Sequence, residues 1–201
     1  MKIMAFVGSP RKHSNTDLLI DQVIEGAKSK TEVEVEKIYL YDADIKYCTA
    51  CGKHTILEGK KPCPIKDDME EILQKMEKAD AFIFGSPNHG RTISAPMTNF
   101  IARMMPLLNM QVTFGEKGEI KNAWVDSKVK GKKVVMVISQ GDPWPSSSAL
   151  VMKILDDNFR DFQMRKVGEV FSMSNLRIGQ VKDKQADLDV AFSMGVRLAS
   201  V

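Results

Sequence analysis

The chain has 201 residues, 43% of them hydrophobic and 27% charged, the balance of a core-forming globular domain and not of a disordered tail or a fibrous repeat. Lys and Arg number 29 against 26 Asp and Glu, and a net charge of +3 falls short of the clustered excess that a nucleic-acid surface needs. The longest apolar runs, such as Val134 to Ile138, are far below the ~20 residues that span a bilayer. The amino terminus through Gly8 is apolar for too short a stretch and lacks a small-residue cleavage site, so it reads as no signal peptide. All of 1–201 reads as one domain.

In chain order, Ile3 to Val7 is a continuous apolar run suited to a strand buried on both faces. Leu18, Leu19, Val23 and Ala27 then recur at helical spacing. Val33 to Leu40 starts by alternating polar and apolar residues, as an edge strand does. Tyr41 to Lys66 is a long connection. Asp67 and Asp68 each stand three residues before a glutamate, a capping-box signal for a helix reaching Lys78. Ala81 to Phe84 is a second buried strand, followed by a helix over Ala95 to Leu108. Met110 to Lys130 is another long connection. Val134 to Ile138 and Val167 to Met173 complete five strands. Helices follow them at Ser147 to Phe162 and at Asp183 to Ala199, the last with a stripe of Ala186, Val190, Met194 and Leu198. Such alternation gives right-handed crossovers and a doubly wound α/β sheet. Connections longer than about 12–15 residues in a compact domain are usually functional.

Ligands of open α/β sheets bind beyond the carboxyl ends of the strands. The first strand runs into Gly8-Ser9-Pro10-Arg11-Lys12-His13-Ser14-Asn15-Thr16. Hydroxyls, a guanidinium and a helix amino terminus are the parts of a phosphate site. They are equally the parts of a capped helix after a polar turn, and composition alone leaves both readings open. The segment matches neither G-x-G-x-x-G nor the P-loop pattern. Gly85-Ser86-Pro87-Asn88-His89-Gly90 and Ser139-Gln140-Gly141-Asp142-Pro143-Trp144 follow two further strands. Their backbone and amide donors would stand where a flat heterocycle could be read.

With these residues the sequence resembles the flavodoxin-like NAD(P)H-dependent FMN reductases, including their iron–sulfur flavoprotein branch. The resemblance rests on Gly8-Ser9-Pro10-Arg11 with Ser14-Asn15-Thr16, on Cys48-x-x-Cys51, and on Cys63-Pro64-Ile65-Lys66-Asp67-Asp68-Met69. It continues through Ala79-Asp80-Ala81 into Gly85-Ser86-Pro87, and through Met97 and Arg103. It covers residue 1 to about 145. It implies a five-stranded parallel sheet in the order 2-1-3-4-5 and one FMN per subunit. The phosphate would lie within Ser9, Arg11, Ser14, Asn15 and Thr16. The ring would meet Ser86, Pro87, Asn88, His89 and Gly90 with Gln140 and Gly141. The resemblance also implies a homodimer or homotetramer whose neighbouring subunit covers part of the flavin. NAD(P)H would act as co-substrate, without a dinucleotide fingerprint of its own. The hard chemistry would then belong to the cofactor, and no catalytic acid–base pair is expected.

Three features depart from that pattern. His89 stands where the family usually has an aromatic residue, and Ala102 where it often has an acid before the helix arginine. The third is the cysteine loop. Its three cysteines fall within sixteen consecutive residues, and Cys48, Cys51, His54 and Cys63 could bind an iron–sulfur cluster or zinc. A Cys48–Cys51 redox pair and plain reduced cysteines kept as loop packing are the competing readings. Trp124 and Trp144 could line the cleft or plug surfaces. The run Lys128 to Lys133 could attract the extra phosphate of NADPH, but reads first as a solvated approach to a strand.

The expected protein is therefore a cytoplasmic FMN-dependent NAD(P)H oxidoreductase acting on a quinone, flavin, iron or similar small acceptor. One alternative is an iron–sulfur flavoprotein relaying single electrons from a ferredoxin. The other is a flavodoxin-like interaction module with no enzymatic role.

Overall fold

A computed structural model describes residues 1–53 and 62–200. The chain runs β1 (Lys2–Val7), α1 (Asn15–Lys28), β2 (Glu34–Tyr39), α2 (Met69–Lys78), β3 (Ala81–Pro87), α3 (Ala95–Arg103), β4 (Leu108–Phe114), β5 (Ile120–Ser127), β6 (Lys133–Ser139), α4 (Ala149–Asp161), β7 (Arg165–Ser172) and α5 (Gln185–Ala199). Five strands form a parallel sheet in the order β2-β1-β3-β6-β7. Numbered within that sheet alone, this is the 2-1-3-4-5 order expected of the flavodoxin-like fold.

The central strands are apolar throughout because both faces are covered. Ile3, Ala5, Val7, Ile83, Val135 and Val137 pack beneath α1 and α5. Met4, Phe6, Phe82, Phe84, Met136 and Ile138 pack beneath α2, α3 and α4. Phe6 anchors the second layer, its ring centroid 4.5 Å from that of Phe100 and 4.9 Å from that of Phe84. The half-exposed β2 forms one edge, as its alternating sequence requires.

Four expectations change. The connection Met110 to Lys130 is mostly the antiparallel pair β4–β5. The α3 helix stops at Arg103 instead of Leu108, because Pro106 cannot continue it, and a single 3-10 turn over Met105–Leu107 replaces the last residues. The capping boxes before α2 do not form: Asp68 makes no cap bond and its Oδ2 accepts the Asp44 N–H at 2.8 Å. Finally, the buried face of α5 is Ala191, Gly195 and Leu198, with Val190 45% exposed. Small residues are needed there, since a Cβ on Gly195 would collide with the Val23 carbonyl of α1, and one on Gly26 with Phe192 of α5.

The Lys128 to Lys133 run lies at the amino end of β6, at the far end of the sheet from the loops that follow the strands' carboxyl ends. Lys132 Nζ donates to the carbonyls of Met76, Glu77 and Ala79 at 2.9, 2.6 and 2.7 Å, closing the carboxyl end of α2. Burial holds this ammonium below its ordinary pKa.

Candidate functional site

Four parallel strands end in loops that surround one cleft of about 210 Å³. Its lining comes from the segments following β1, β3, β6 and β7. Gly8 opens the first wall, where its N–H donates to Gly85 O at 2.7 Å. A Cβ at Gly8 would stand 2.7 Å from Ser94 Oγ, so β1 passes the start of α3 at a distance only glycine allows. Ser9 Oγ accepts the Arg11 N–H at 3.2 Å and fixes the turn that carries Arg11. Ser14 caps α1, its Oγ accepting the Asp17 N–H at 3.3 Å and its carbonyl the Leu18 N–H at 2.9 Å. The N–H groups of Asn15 and Thr16, at the positive end of the helix, have no intrahelical acceptor.

The side chains of that first turn bind protein. Thr16 Oγ1 lies 2.7 Å from Ser139 Oγ, tying α1 to the end of β6. Asn15 Nδ2 donates to Arg177 O at 2.9 Å and its Oδ1 accepts the Val181 N–H at 3.0 Å. Asn15 thus bolts the helix to the segment after β7, and its side-chain amide is spent on that contact.

The facing wall follows the same logic. Asn88 Nδ2 donates to Gln140 Oε1, Ser147 O and Ser148 Oγ at 3.2, 3.0 and 3.1 Å. Gln140 Nε2 donates to Asp142 O and Trp144 O at 3.1 and 2.8 Å. Both amides therefore brace their loops, and backbone groups with Pro87, His89 and Gly141 are left to meet a ligand. Ser86 is fully buried, with Oγ accepting the Ser94 N–H at 3.0 Å, and Gly90 lies outside the lining. His89 stands exposed at the rim, held by a backbone bridge to Thr92.

The segment Asn175 to Ile178, after β7, forms a fourth wall that the sequence reading passed over. Its signal was available: β7 is a parallel strand like the others, and its carboxyl end belongs to the same rim. Ser172 Oγ donates to Asp187 Oδ2 at 2.5 Å and so accepts from Asn175 Nδ2 at 2.7 Å. That chain fixes the Asn175 amide, whose buried Oδ1 has no partner among the described residues. Leu176 and Ile178, 80% and 59% exposed, make an apolar lip beside it. The lining of the cleft thus combines the start of α1 and an arginine with polar side chains and an apolar lip.

Met97 is wholly buried in the core, and Arg103 lies away from the cleft, beside the cysteine loop. Its guanidinium binds Asp67 through Nη1 at 2.5 Å and Nη2 at 3.0 Å, binds Lys46 O at 2.5 Å, and reaches Cys63 Sγ at 3.9 Å. Asp67 therefore supplies the carboxylate that Ala102 does not. Burial works against the Asp67 charge, yet Arg103 and the N–H groups of Lys46 and Met69 hold its pKa below the ordinary value. Cys48, Cys51 and Cys63 are free thiols that line one shallow depression with Ala102, Arg103 and Pro106. Among the described residues no set of three His, Cys, Asp or Glu side chains is arranged to hold a metal ion, and His54 lies outside the described residues.

The family model described as NADPH-dependent FMN reductase matches residues 1–176. An iron–sulfur flavoprotein of Archaeoglobus fulgidus is 36% identical over 118 residues, covering 59% of this chain and 52% of that protein. One from Methanocaldococcus jannaschii is 39% identical over 107 residues, 53% of each. The chain spans about half the length of the curated relatives it matches. Among solved structures, an FMN-dependent NADH-azoreductase from Bacillus anthracis in complex with FMN superposes with a TM-score of 0.70 at 15% identity, covering 99% of each chain. An NAD(P)H:quinone oxidoreductase from Methanothermobacter marburgensis gives 0.70 at 16% identity and 98% of each chain. At that identity the superpositions speak for the fold. No helix among the described residues is long and apolar enough to cross a membrane.

Proposed function

The chain belongs to the NADPH-dependent FMN reductase family, and from that premise we propose that it is an oxidoreductase holding FMN in the cleft beyond β1, β3, β6 and β7. The donor set fits the group. A phosphate needs several N–H donors and a cation, and the start of α1 offers the Asn15 and Thr16 N–H groups beside Arg11. The unpartnered Asn175 Oδ1 offers an acceptor to a hydroxyl or ring N–H. When bound, FMN accepts a hydride from NAD(P)H and passes electrons on to a small acceptor such as a quinone, flavin or iron.

What the chain itself does is bind and orient. Ser9 and Ser14 fix the turn that places Arg11 and the start of α1 at one point of the cleft wall. Thr16 and Ser139 set the distance between that point and the opposite wall. The braced Asn88 and Gln140 hold Pro87, His89 and Gly141 as a flat wall, and His89 offers its imidazole as a stacking surface at the rim. The exposed Leu176 and Ile178 leave part of that rim apolar, which supports a homodimer or homotetramer whose second copy covers part of the cleft. The open side also leaves room for a nicotinamide and an acceptor to visit one face in turn.

The observation that carries this reading is that Arg11 and the first turn of α1 line the same cleft. Purified protein that carries releasable flavin, and whose flavin is bleached by NADH or NADPH, supports it. A colourless chain that cannot be loaded with excess FMN overturns it in favour of an interaction module.

A second reading is favoured by relatives named iron–sulfur flavoproteins; the three cysteines line one depression, though not in an arrangement that holds a metal ion as they stand. Cys48, Cys51 and Cys63, with His54 or another donor, would hold a cluster, and a ferredoxin would deliver single electrons. Iron and sulfide assayed after anaerobic purification decide it: their absence overturns the cluster.

A further inference from the structure

Asp17 is the one acid in the first turn of α1, and its side chain is fully buried. Its Oδ2 accepts the His13 N–H at 2.7 Å. Its carboxylate also accepts the Tyr39 hydroxyl at 3.2 Å and pairs with Lys37 Nζ. Lys37, on β2, is 18% exposed in its side chain and pairs in addition with Asp21 at 2.6 Å. Tyr39 carries the Lys12 ammonium 5.4 Å above its ring, and Lys12 belongs to the same loop as His13.

His13 has a φ of +57°, the left-handed region that a branched or bulky residue enters only at a cost. Such a conformation persists where its surroundings over-determine it. Here the bond from Asp17 is the surrounding in question, since it holds the His13 N–H inside the turn that leads from Arg11 to Ser14. The charge raises a second matter. An anion at a helix amino terminus is favourable, but a buried carboxylate in that turn competes with a bound phosphate for the same positive end.

We infer that Asp17 and Lys37 are positioning residues for the anion end of the cleft: the carboxylate shapes the Gly8–Ser14 loop through His13, and the ammonium cancels the charge that would otherwise repel the ligand's phosphate. The inference rests on the FMN reading. Neither side chain lines the cleft, so both act through the loop and through the field.

Riboflavin, which has the ring and ribityl chain without the phosphate, separates this role from a general one in folding. Dissociation constants for FMN and riboflavin are measured by flavin fluorescence on the apoprotein, with thermal melting of each variant. Lys37→Met should weaken FMN about tenfold and riboflavin by less than about threefold, because only the phosphate meets the uncompensated charge. Lys37→Arg should restore FMN binding. Asp17→Asn in the Lys37→Met background should also restore it, since the carboxamide still accepts the His13 N–H and carries no charge. Asp17→Ala should bind FMN more weakly than Asp17→Asn, having lost the acceptor. Equal losses for the two flavins, or no recovery in the double variant, overturn the inference while leaving the FMN reading intact. Wild-type protein that binds neither flavin overturns both. If Lys37→Met fails to fold, the neutral double variant and the Asp17→Ala against Asp17→Asn comparison decide alone.

Discussion

Arg103 and Asp67 form a two-pronged ion pair whose side chains are 3% and 0% exposed, joining the end of α3 to the second residue before α2. A buried pair of this kind is strongly sensitive to loss of one partner, because the other charge remains without compensation. Arg103→Met should therefore cost about 3–5 kcal/mol in urea unfolding. The double variant with Asp67→Leu should recover a large part of that, and a purely additive result would contradict the coupling.

The same pair sets a pH dependence. The Asp67 pKa is lowered in the folded chain, so its contribution is present above the ordinary value of 3.8 and is lost as the pH falls through the folded value. Wild-type stability should drop more steeply than that of Asp67→Asn below about pH 4. Parallel curves for the two proteins would remove Asp67 as a source of the acid sensitivity.

Arg11→Ala should weaken FMN by roughly tenfold or more, the scale of a charge-assisted hydrogen bond, with riboflavin unaffected. Equilibrium titration of the apoprotein with each flavin measures it. Unchanged FMN affinity would take the phosphate away from this loop.

Thr16→Val leaves Ser139 without its partner between two buried elements, and should cost about 1–2 kcal/mol of stability. Pairing it with Ser139→Ala should cost less than the sum of the single changes, since both remove one bond. A double-mutant cycle by denaturant unfolding gives the coupling directly.

Gly195→Ala reverses the usual sign of a substitution in a helix. Alanine is ordinarily the better helix former by about 1 kcal/mol. Here its Cβ would press into the backbone of α1 at Val23. A loss of about 1–3 kcal/mol, seen as a melting point several degrees lower, is the expected result. A stabilised variant would mean that α1 and α5 are free to part.

The parallel sheet was legible because burial on both faces writes itself as unbroken apolar runs, as in Ile3 to Val7 and Val134 to Ile138. The cleft was legible by consequence, since parallel strands place all their carboxyl ends on one rim. Where the sequence reading fell short, the cause lay in contacts between distant residues. Gly115 to Gly118 marks a hairpin turn, but the charged residues around it read as a loop. Asn88 and Gln140 have the chemistry of ligand readers, and only the packed structure reveals that the Asn88 amide is spent on the loop after β6 and the Gln140 amide on its own loop. Asp67 resembled a helix cap until Arg103, thirty-six residues on, claimed it.

The bonds that fix the start of α1 decide when the first wall of the cleft can form. Thr16 meets Ser139 across 123 positions, and Asn15 meets Val181 across 166. A nascent chain holding every residue of the first loop has as yet no floor on which to set it. Uptake of the proposed FMN would then wait for the last strand to dock, a slow, long-range step in parallel sheets. The colour of the protein would serve as a clock for its final act of folding.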